Sequence, residues 1–188
     1  MRKLYSVCLV FAVSNGLSRA EVYEIDASHA EIGFKVKHML VSKTRGKFTT
    51  FSGKIDFDSA KKELVSAKCT IEAASVDTSN GKRDAHLKNK DFFNVEKFPN
   101  ITFESTGVKK QADGTFALTG NLSILGNTKA VELPVTVNGP INDPYGMKRI
   151  GFETSTSLNR RDFGLTHGKA ATIGDVVTVE ISVEATRK

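Results

Sequence analysis

Apolar and polar residues alternate along most of the chain with a period of two, which is typical of half-buried β-strands. Between Ala30 and His38 the even positions are mostly apolar, whereas Glu31, Lys35 and Lys37 occupy odd positions. The same alternation recurs over residues 51–57, 65–73, 101–105, 116–124, 131–137, 150–158 and 177–183. The pattern therefore predicts eight strands, each with one apolar face. Phe48 and Phe51 have opposite parity, which indicates a bulge between them.

Short polar connectors separate several of these runs, at residues 58–62, 112–114 and 125–127. Connectors of this kind pair neighbouring strands antiparallel and produce a meander. An open sheet of eight strands would leave two exposed edges, whereas a closed barrel leaves none. We therefore predict an all-β fold, an eight-stranded antiparallel up-and-down barrel. A β-sandwich is the alternative that the alternation alone leaves open.

One polar stretch, residues 80–94, interrupts the strands. Within it, residues 83–90 are predicted to form a short helical segment, with Phe92 and Phe93 packing inward. This stretch is the natural candidate for a lid or a mouth of the barrel. Two further irregular stretches, residues 139–148 and 160–174, are expected to flank an opening.

The first twenty residues have the three parts of a secretory signal peptide. Arg2 and Lys3 form a positive start, residues 4–13 are an apolar run of ten, and Ser18 and Ala20 are small residues before the expected cut. Ten apolar residues are about half of what a membrane-spanning helix requires. We therefore expect cleavage after Ala20 and a single periplasmic domain over residues 21–188, without stable membrane insertion.

Removal of the signal segment changes the charge and the cysteine content. The full chain has 27 basic and 21 acidic residues; residues 21–188 keep 24 basic and 21 acidic ones, so the net charge falls from +6 to +3. This mild excess predicts no nucleic-acid partner, and it would not repel an anionic head group. Cys69 is left without a partner for an internal disulfide, and its position on an apolar strand face predicts a core residue.

The predicted inner strand faces carry both large and small apolar residues, which leaves room for an elongated slot. Runs of nine residues would make walls ~30 Å tall at ~3.3 Å per residue. Burial of ~500 Å² of an apolar chain would contribute ~12 kcal/mol before the cost of association. The candidate lipid-binding residues are Ile32, Phe34, Val36, His38, Phe51, Ile55, Phe103, Leu122 and Ile124. A core filled entirely by its own side chains is the alternative.

The pattern of titratable residues does not favour an enzyme or a metal site. The four histidines lack the HxH or HxxxH spacing of metal ligands. The chain also lacks the glycine-rich phosphate-binding motifs and the GxSxG nucleophile motif. Asp84 and His86, with Asp91 nearby, are the strongest acid–base candidates, but such a pair in a loop is more often a structural hydrogen bond. We therefore expect neither catalysis, nor a bound metal, nor a cofactor.

Ten motifs are spread over nearly the whole of residues 21–188. They are Tyr23–His29, Ile32–His38, Gly46–Phe48, Phe51–Ile55, Val76–Thr78, Arg83–Leu87, Asp91–Phe93, Phe98–Phe103, Leu158–Gly164 and Gly174–Val177. In these motifs the chain resembles the YceI-like family of lipocalin-like periplasmic proteins that are associated with polyisoprenoid binding. The resemblance implies an eight-stranded barrel with a short helical segment and a long apolar chain in the lumen. Quinone side chains and prenyl phosphates are the ligands it implies, with fatty acids or fatty amides in some relatives.

Two positions depart from the family pattern, and each removes a polar group that could contact a head group. Ala30 stands where the family usually has Ser, and the turn over residues 125–128 lacks the His that the family tends to carry there.

The favoured hypothesis is a periplasmic carrier that holds an isoprenoid or fatty-acyl lipid in its lumen. The candidates for contact with a lipid head group are Arg45, Asp84 and His86, together with His38, Lys43 and Lys47. Two alternatives stay open: a filled barrel that acts through its surface as a stress-response or interaction module, and a lipid-modifying enzyme that uses Asp84 and His86. An open mouth would favour a homodimer that covers it.

Overall fold

The computed structural model describes residues 20–188, so the predicted signal segment, apart from Ala20, lies outside the described residues. The strands of this region are β1 (Glu21–His38), β2 (Ser42–Phe48), β3 (Phe51–Asp58), β4 (Glu63–Glu72), β5 (Val76–Asp77), β6 (Asn100–Lys110), β7 (Phe116–Ile124), β8 (Asn127–Asn142), β9 (Lys148–Asn159) and β10 (Ile173–Arg187). The α-helix is α1 (Gly81–Lys88), and 3₁₀ helices span Ala73–Ser75 and Arg160–Phe163. Among residues 20–188, no helix has the length and apolar character needed to cross a membrane.

The sheet closes into a barrel because the first strand pairs with the last. β1 and β10 pair antiparallel from Glu24–Thr186 to His38–Ile173. β2 pairs with the second half of β1 and β3 with its first half, so β2 and β3 are two parts of one arm. With that arm counted once, and with β5 as a short extension beside β2, eight antiparallel arms follow each other in chain order around the ring. The predicted eight-stranded up-and-down barrel is confirmed, and closure excludes the sandwich.

β1 begins earlier in the sequence than the alternation predicts, because a bulge interrupts the alternation within the strand. Tyr23 and Ile25 face inward at odd positions, whereas Ile32 faces inward at an even position. The register with β10 shifts between Ile25 and Ala30, and this shift changes the parity.

Two further irregularities lie on the arms beside β1. Thr49 and Thr50 separate β2 from β3, so the strand is interrupted between Phe48 and Phe51, where a bulge was predicted. On β4 the buried residue is Leu64, while Val65 is 49% exposed. The prediction that Val65 faces inward is therefore wrong, because the β3–β4 register shifts after Asp56.

The polar stretch after β5 forms the expected helix, with α1 beginning at Gly81, slightly earlier than predicted. Asn80 caps the helix, since its side chain accepts a hydrogen bond from the backbone N–H of Arg83 at 3.0 Å. Phe92 is buried, and the ring of Phe93 lies 5.7 Å from that of Phe48 in an edge-on contact. The helical segment and the inward packing of both phenylalanines are confirmed.

The two ends of the barrel differ. At one end, called the closed end here, Tyr23, Phe57 and Ile150 are almost fully buried in one apolar cluster. The β8–β9 connection lies at this end, where Lys148 pairs with Glu21. The expectation that residues 139–148 flank an opening is therefore wrong. The other end, called the mouth here, carries α1, the β1–β2 turn and residues 160–174.

Candidate functional site

A cavity of about 280 Å³ lies inside the barrel between the closed end and the mouth. Its wall is formed by inward-facing side chains of the strands, and these are mainly aliphatic and aromatic. Thr154 and Thr156 on β9 are polar residues among those that line the wall. The interior is therefore not completely filled by its own side chains.

Most of the candidate lipid-binding residues lie on this wall. They are Ile32, Phe34, Val36, Ile55, Phe103, Leu122 and Ile124. The structure does not bring Phe51 and His38 to the wall. Phe51 packs partly buried in the apolar cluster below α1, and His38 is the last residue of β1, at the rim of the barrel.

Two segments supply the wall at the mouth. Leu87, Phe92 and Phe93 come from α1 and the residues that follow it, while Phe163 and Leu165 come from the second 3₁₀ helix and its extension. These two segments are far apart in sequence but face each other across the end of the cavity. The expectation that residues 160–174 flank the opening agrees with this placement.

Arg160 organises the second of these segments. Its side chain is only 4% exposed, and its guanidinium donates hydrogen bonds to the backbone carbonyls of Leu165, His167, Gly168, Ile173 and Gly174. It also pairs with the carboxylate of Asp175 at 3.0 Å. Burial lowers the pKa of Arg160 from its ordinary value, yet the planar fork of donors matches the surrounding acceptors. Sequence reasoning missed this residue, because nothing local distinguishes a buried arginine from an exposed one.

The candidate head-group residues lie outside the cavity wall. Arg45 is exposed on the outer face of β2. Asp84 accepts hydrogen bonds from the backbone N–H and the hydroxyl of Thr78, and the hydroxyl contact holds the pKa of this carboxyl below its usual range. His86 pairs with Asp91, at 3.1 Å between Nε2 and Oδ2, rather than with Asp84. The structure therefore does not form the Asp84–His86 pair that the enzyme hypothesis requires.

A family model for the YceI-like domain matches residues 23–185, which is nearly all of the described chain. The chain belongs to the YceI-like family. A UPF0312 protein of Azotobacter vinelandii is 42% identical over 177 residues, covering 92% of this chain and 91% of the relative. A UPF0312 protein of Ectopseudomonas mendocina is 38% identical over 189 residues, covering 98% of this chain and 97% of the relative.

Solved structures carry the same barrel as this YceI-like protein. The Campylobacter jejuni YceI protein superposes with a TM-score of 0.75 at 36% identity, covering 87% of this chain and 96% of the other. BcnA of Burkholderia cenocepacia gives a TM-score of 0.77 at 25% identity, covering 86% and 99%. A polyisoprenoid-binding domain from Saccharophagus degradans gives a TM-score of 0.69 at 15% identity, covering 88% and 98%, which is a likeness of fold.

The thiol of Cys69 lies on the cavity wall of this YceI-like protein, where burial raises its pKa from 9.0 to about 11. Because thiolate is the reactive form, we expect iodoacetamide at pH 8 to alkylate Cys69 in the folded protein about a hundredfold more slowly than in the unfolded chain. The rates are measured by intact mass before and after addition of guanidinium chloride. Equal rates would contradict the buried position of this thiol.

The hydroxyl of Thr154 is buried and has no hydrogen-bond partner among the described residues. An unsatisfied buried hydroxyl destabilises a protein, so we expect Thr154→Val to raise the free energy of unfolding by about 1 kcal/mol. Urea unfolding of the lipid-free protein measures the change. Thr154→Ser, which keeps the hydroxyl and loses the methyl group, should instead be destabilising. A loss of stability in Thr154→Val would show that the hydroxyl is satisfied in solution.

Proposed function

We propose that this YceI-like protein is a periplasmic carrier that holds a long apolar lipid chain, such as a polyisoprenoid or an isoprenoid quinone tail, in its barrel. The observation that carries the proposal is the cavity of about 280 Å³ with its mainly apolar wall. The barrel shared with a polyisoprenoid-binding domain of Saccharophagus degradans supports the capacity of the fold for such a ligand. The signal-like residues 1–20 support export.

The chemistry of the wall favours recognition of a tail rather than a head group. Arg160 reaches the wall, but its donors are already engaged by backbone carbonyls and Asp175. The volume lies near the lower end of small-molecule pockets, which begin at ~300 Å³, so a single slender chain matches it better than a fused ring system. A polar head would then stay at the mouth, near the exposed residues of α1.

The cavity also bears on the alternatives. A barrel that acts only through its surface requires no internal space, and the space beside Phe34 and Phe103 is unexplained by that hypothesis. A lipid-modifying enzyme would need Asp84 and His86 together, whereas each has another partner. A binding protein without catalysis is therefore the function that this geometry supports best.

A chain-length series tests the proposal. Delipidated mature protein is mixed with prenyl alcohols or fatty acids of increasing length, and the complexes are measured by native mass spectrometry. Since each buried methylene contributes ~0.8 kcal/mol, affinity should rise steeply with length and then level off when the slot is full. Absence of binding, or affinity that does not change with length, would contradict a tail-binding slot.

A further inference from the structure

Three potential metal ligands meet on the outside of the mouth. Nε2 of His86 lies 3.1 Å from Oδ2 of Asp91, and Nδ1 of His167 lies 4.0 Å from the same oxygen. One ligand atom from each residue falls within 4.8 Å of the others. His86 and Asp91 belong to α1 and the turn after it, while His167 belongs to the segment that Arg160 organises. The cluster therefore joins the two segments that form the mouth.

The surroundings hold these side chains near a coordinating arrangement. The rings of His86 and His167 each have their centroid 5.0 Å from that of the buried Phe92. The backbone carbonyl of His167 accepts a hydrogen bond from Arg160 at 2.8 Å. Zn²⁺ takes His nitrogens at ~2.0–2.1 Å and carboxylate oxygens at similar distances, so tetrahedral ligands are about 3.3 Å apart. The three ligand atoms lie within 4.8 Å of one another, so a closure of about 1.5 Å or less would bring each pair to that spacing.

We propose that His86, Asp91 and His167 bind a divalent ion of the zinc class and that this ion fastens the α1 segment to the segment after Phe163. Two imidazoles and one carboxylate are ligands suited to Zn²⁺ or Co²⁺, and the exposed side leaves a position for water. Sequence reasoning missed the site, because its ligands come from two segments that only the barrel brings together.

Titration of the full mature protein with Co²⁺ tests the site, because tetrahedral Co²⁺ has a characteristic visible absorption. One equivalent should bind, Zn²⁺ should displace it, and His86→Gln and His167→Gln should each weaken binding at least tenfold. His29→Gln is the matched control, since His29 also contacts a carboxylate, that of Asp26 at 2.9 Å, but forms no three-ligand group among residues 20–188.

Two results would overturn the metal proposal. Absence of one-equivalent Co²⁺ binding, or binding that persists in His86→Gln, would remove the site. Binding that His167→Gln leaves unchanged would remove the link between the two segments, because only His167 comes from the second one.

A second, independent observation concerns the β1–β2 turn, also at the mouth. Met39, Leu40 and Val41 are consecutive and are 57%, 66% and 87% exposed. Met39 and Leu40 both have positive φ, at 50° and 61°, a conformation that bulky side chains rarely adopt. Three large apolar side chains are therefore presented to solvent at one tip, which is unusual for an isolated soluble surface.

Basic residues lie on the two strands that lead to this apolar tip. Lys37 lies directly opposite Lys43, and Lys35 lies opposite Arg45. Like charges in opposite positions destabilise a strand pair. Lys35 is neutralised by Glu180, whereas the ion pairs formed within residues 20–188 include none with Lys37, Lys43 or Arg45. An apolar tip with three bases outside any ion pair on its two strands is complementary to a membrane surface with anionic head groups.

The tip is also connected to the cavity. Val36, three residues before Met39, lies on the cavity wall, and the backbone N–H of Met39 donates to the carbonyl of Thr172 beside Ile173, another wall residue. We infer that the β1–β2 tip docks on an anionic lipid bilayer and places the mouth at its surface. Docking by these surface residues does not depend on what the cavity contains.

Vesicle flotation without any cargo tests the docking surface. The mature protein should bind vesicles of phosphatidylglycerol and phosphatidylethanolamine, and bind phosphatidylcholine vesicles at least tenfold more weakly. Leu40→Ser with Val41→Ser, and separately Lys43→Gln with Arg45→Gln, should each reduce binding to the anionic vesicles about tenfold or more. Ile141→Ser with Tyr145→Ser is the matched control, because these residues are 61% and 85% exposed near the closed end.

The same variants distinguish a lipid bilayer from other binding partners of the tip. Vesicle binding that survives both double substitutions, or that the control pair reduces equally, overturns the docking surface. A dimer in analytical ultracentrifugation that Leu40→Ser with Val41→Ser dissociates, without vesicle binding by the unaltered protein, would assign the tip to a second copy of the chain instead. Either result leaves the carrier proposal intact, since no cargo is measured.

Discussion

Arg160→Met is expected to lower the free energy of unfolding by about 3–5 kcal/mol, the usual cost of breaking a buried charged network. The guanidinium of Arg160 satisfies five backbone carbonyls and the carboxylate of Asp175. Methionine fills similar space but donates no hydrogen bond, so the carbonyls of Leu165, His167 and Ile173 lose this donor and the segment after Phe163 loses its anchor. Urea unfolding measures the loss.

Arg161 provides the matched control for this substitution. It shares Asp175 with Arg160, at 2.6 Å, but its side chain is 34% exposed. Because water can replace its contacts, Arg161→Met should cost about 1 kcal/mol or less. Equal losses for the two variants would contradict the central position of Arg160. Arg160→Lys should recover little stability, because one ammonium group cannot match acceptors arranged around a planar fork.

Ala67→Phe is expected to weaken binding of a long apolar lipid by at least about tenfold, or ~1.4 kcal/mol. Ala67 is one of the smaller residues on the cavity wall, opposite Ile55 in the β3–β4 pair. A phenyl ring at this position would occupy space that the proposed lipid chain needs. Native mass spectrometry with the ligand series described above measures the change.

Ala130→Phe adds the same ring on the outside of the barrel. Ala130 is exposed on β8, next to Val131, which faces the cavity. This variant should bind lipid like the unaltered protein. If Ala67→Phe is folded, as circular dichroism and urea unfolding would show, and still binds lipid normally, the cavity around Ala67 is not the binding slot.

The barrel was predictable because alternation and short connectors are local signals. The inward residues of most strands follow directly from parity, as at Ile32, Phe34 and Phe103. Parity fails where a bulge adds residues, so the first half of β1 and the position of Val65 were not predictable. The end at which residues 139–148 lie follows from the meander, because successive connections alternate between the two ends of an up-and-down barrel and residues 160–174 form the next connection.

The site was only partly predictable, because it depends on contacts between distant segments. Whether Phe34 and Phe103 fill the interior or leave a cavity is a matter of packing volume, which a list of residue types does not contain. The local backbone decides the partners of the two candidate residues. Asp84 accepts a hydrogen bond from Thr78, and His86 contacts Asp91. The approach of His167 to His86 requires the closed ring and the anchor at Arg160.

Mass spectrometry of an organic extract tests the central claim most directly. The protein is purified from its native host without detergent, extracted, and compared with an extract of the Ala67→Phe variant prepared in the same way. We expect about one prenyl lipid or isoprenoid quinone per chain in the unaltered protein and much less in the variant. A fatty acid or fatty amide in the same amount would contradict the isoprenoid assignment while keeping the slot. An extract without stoichiometric lipid from the unaltered protein would contradict the carrier itself.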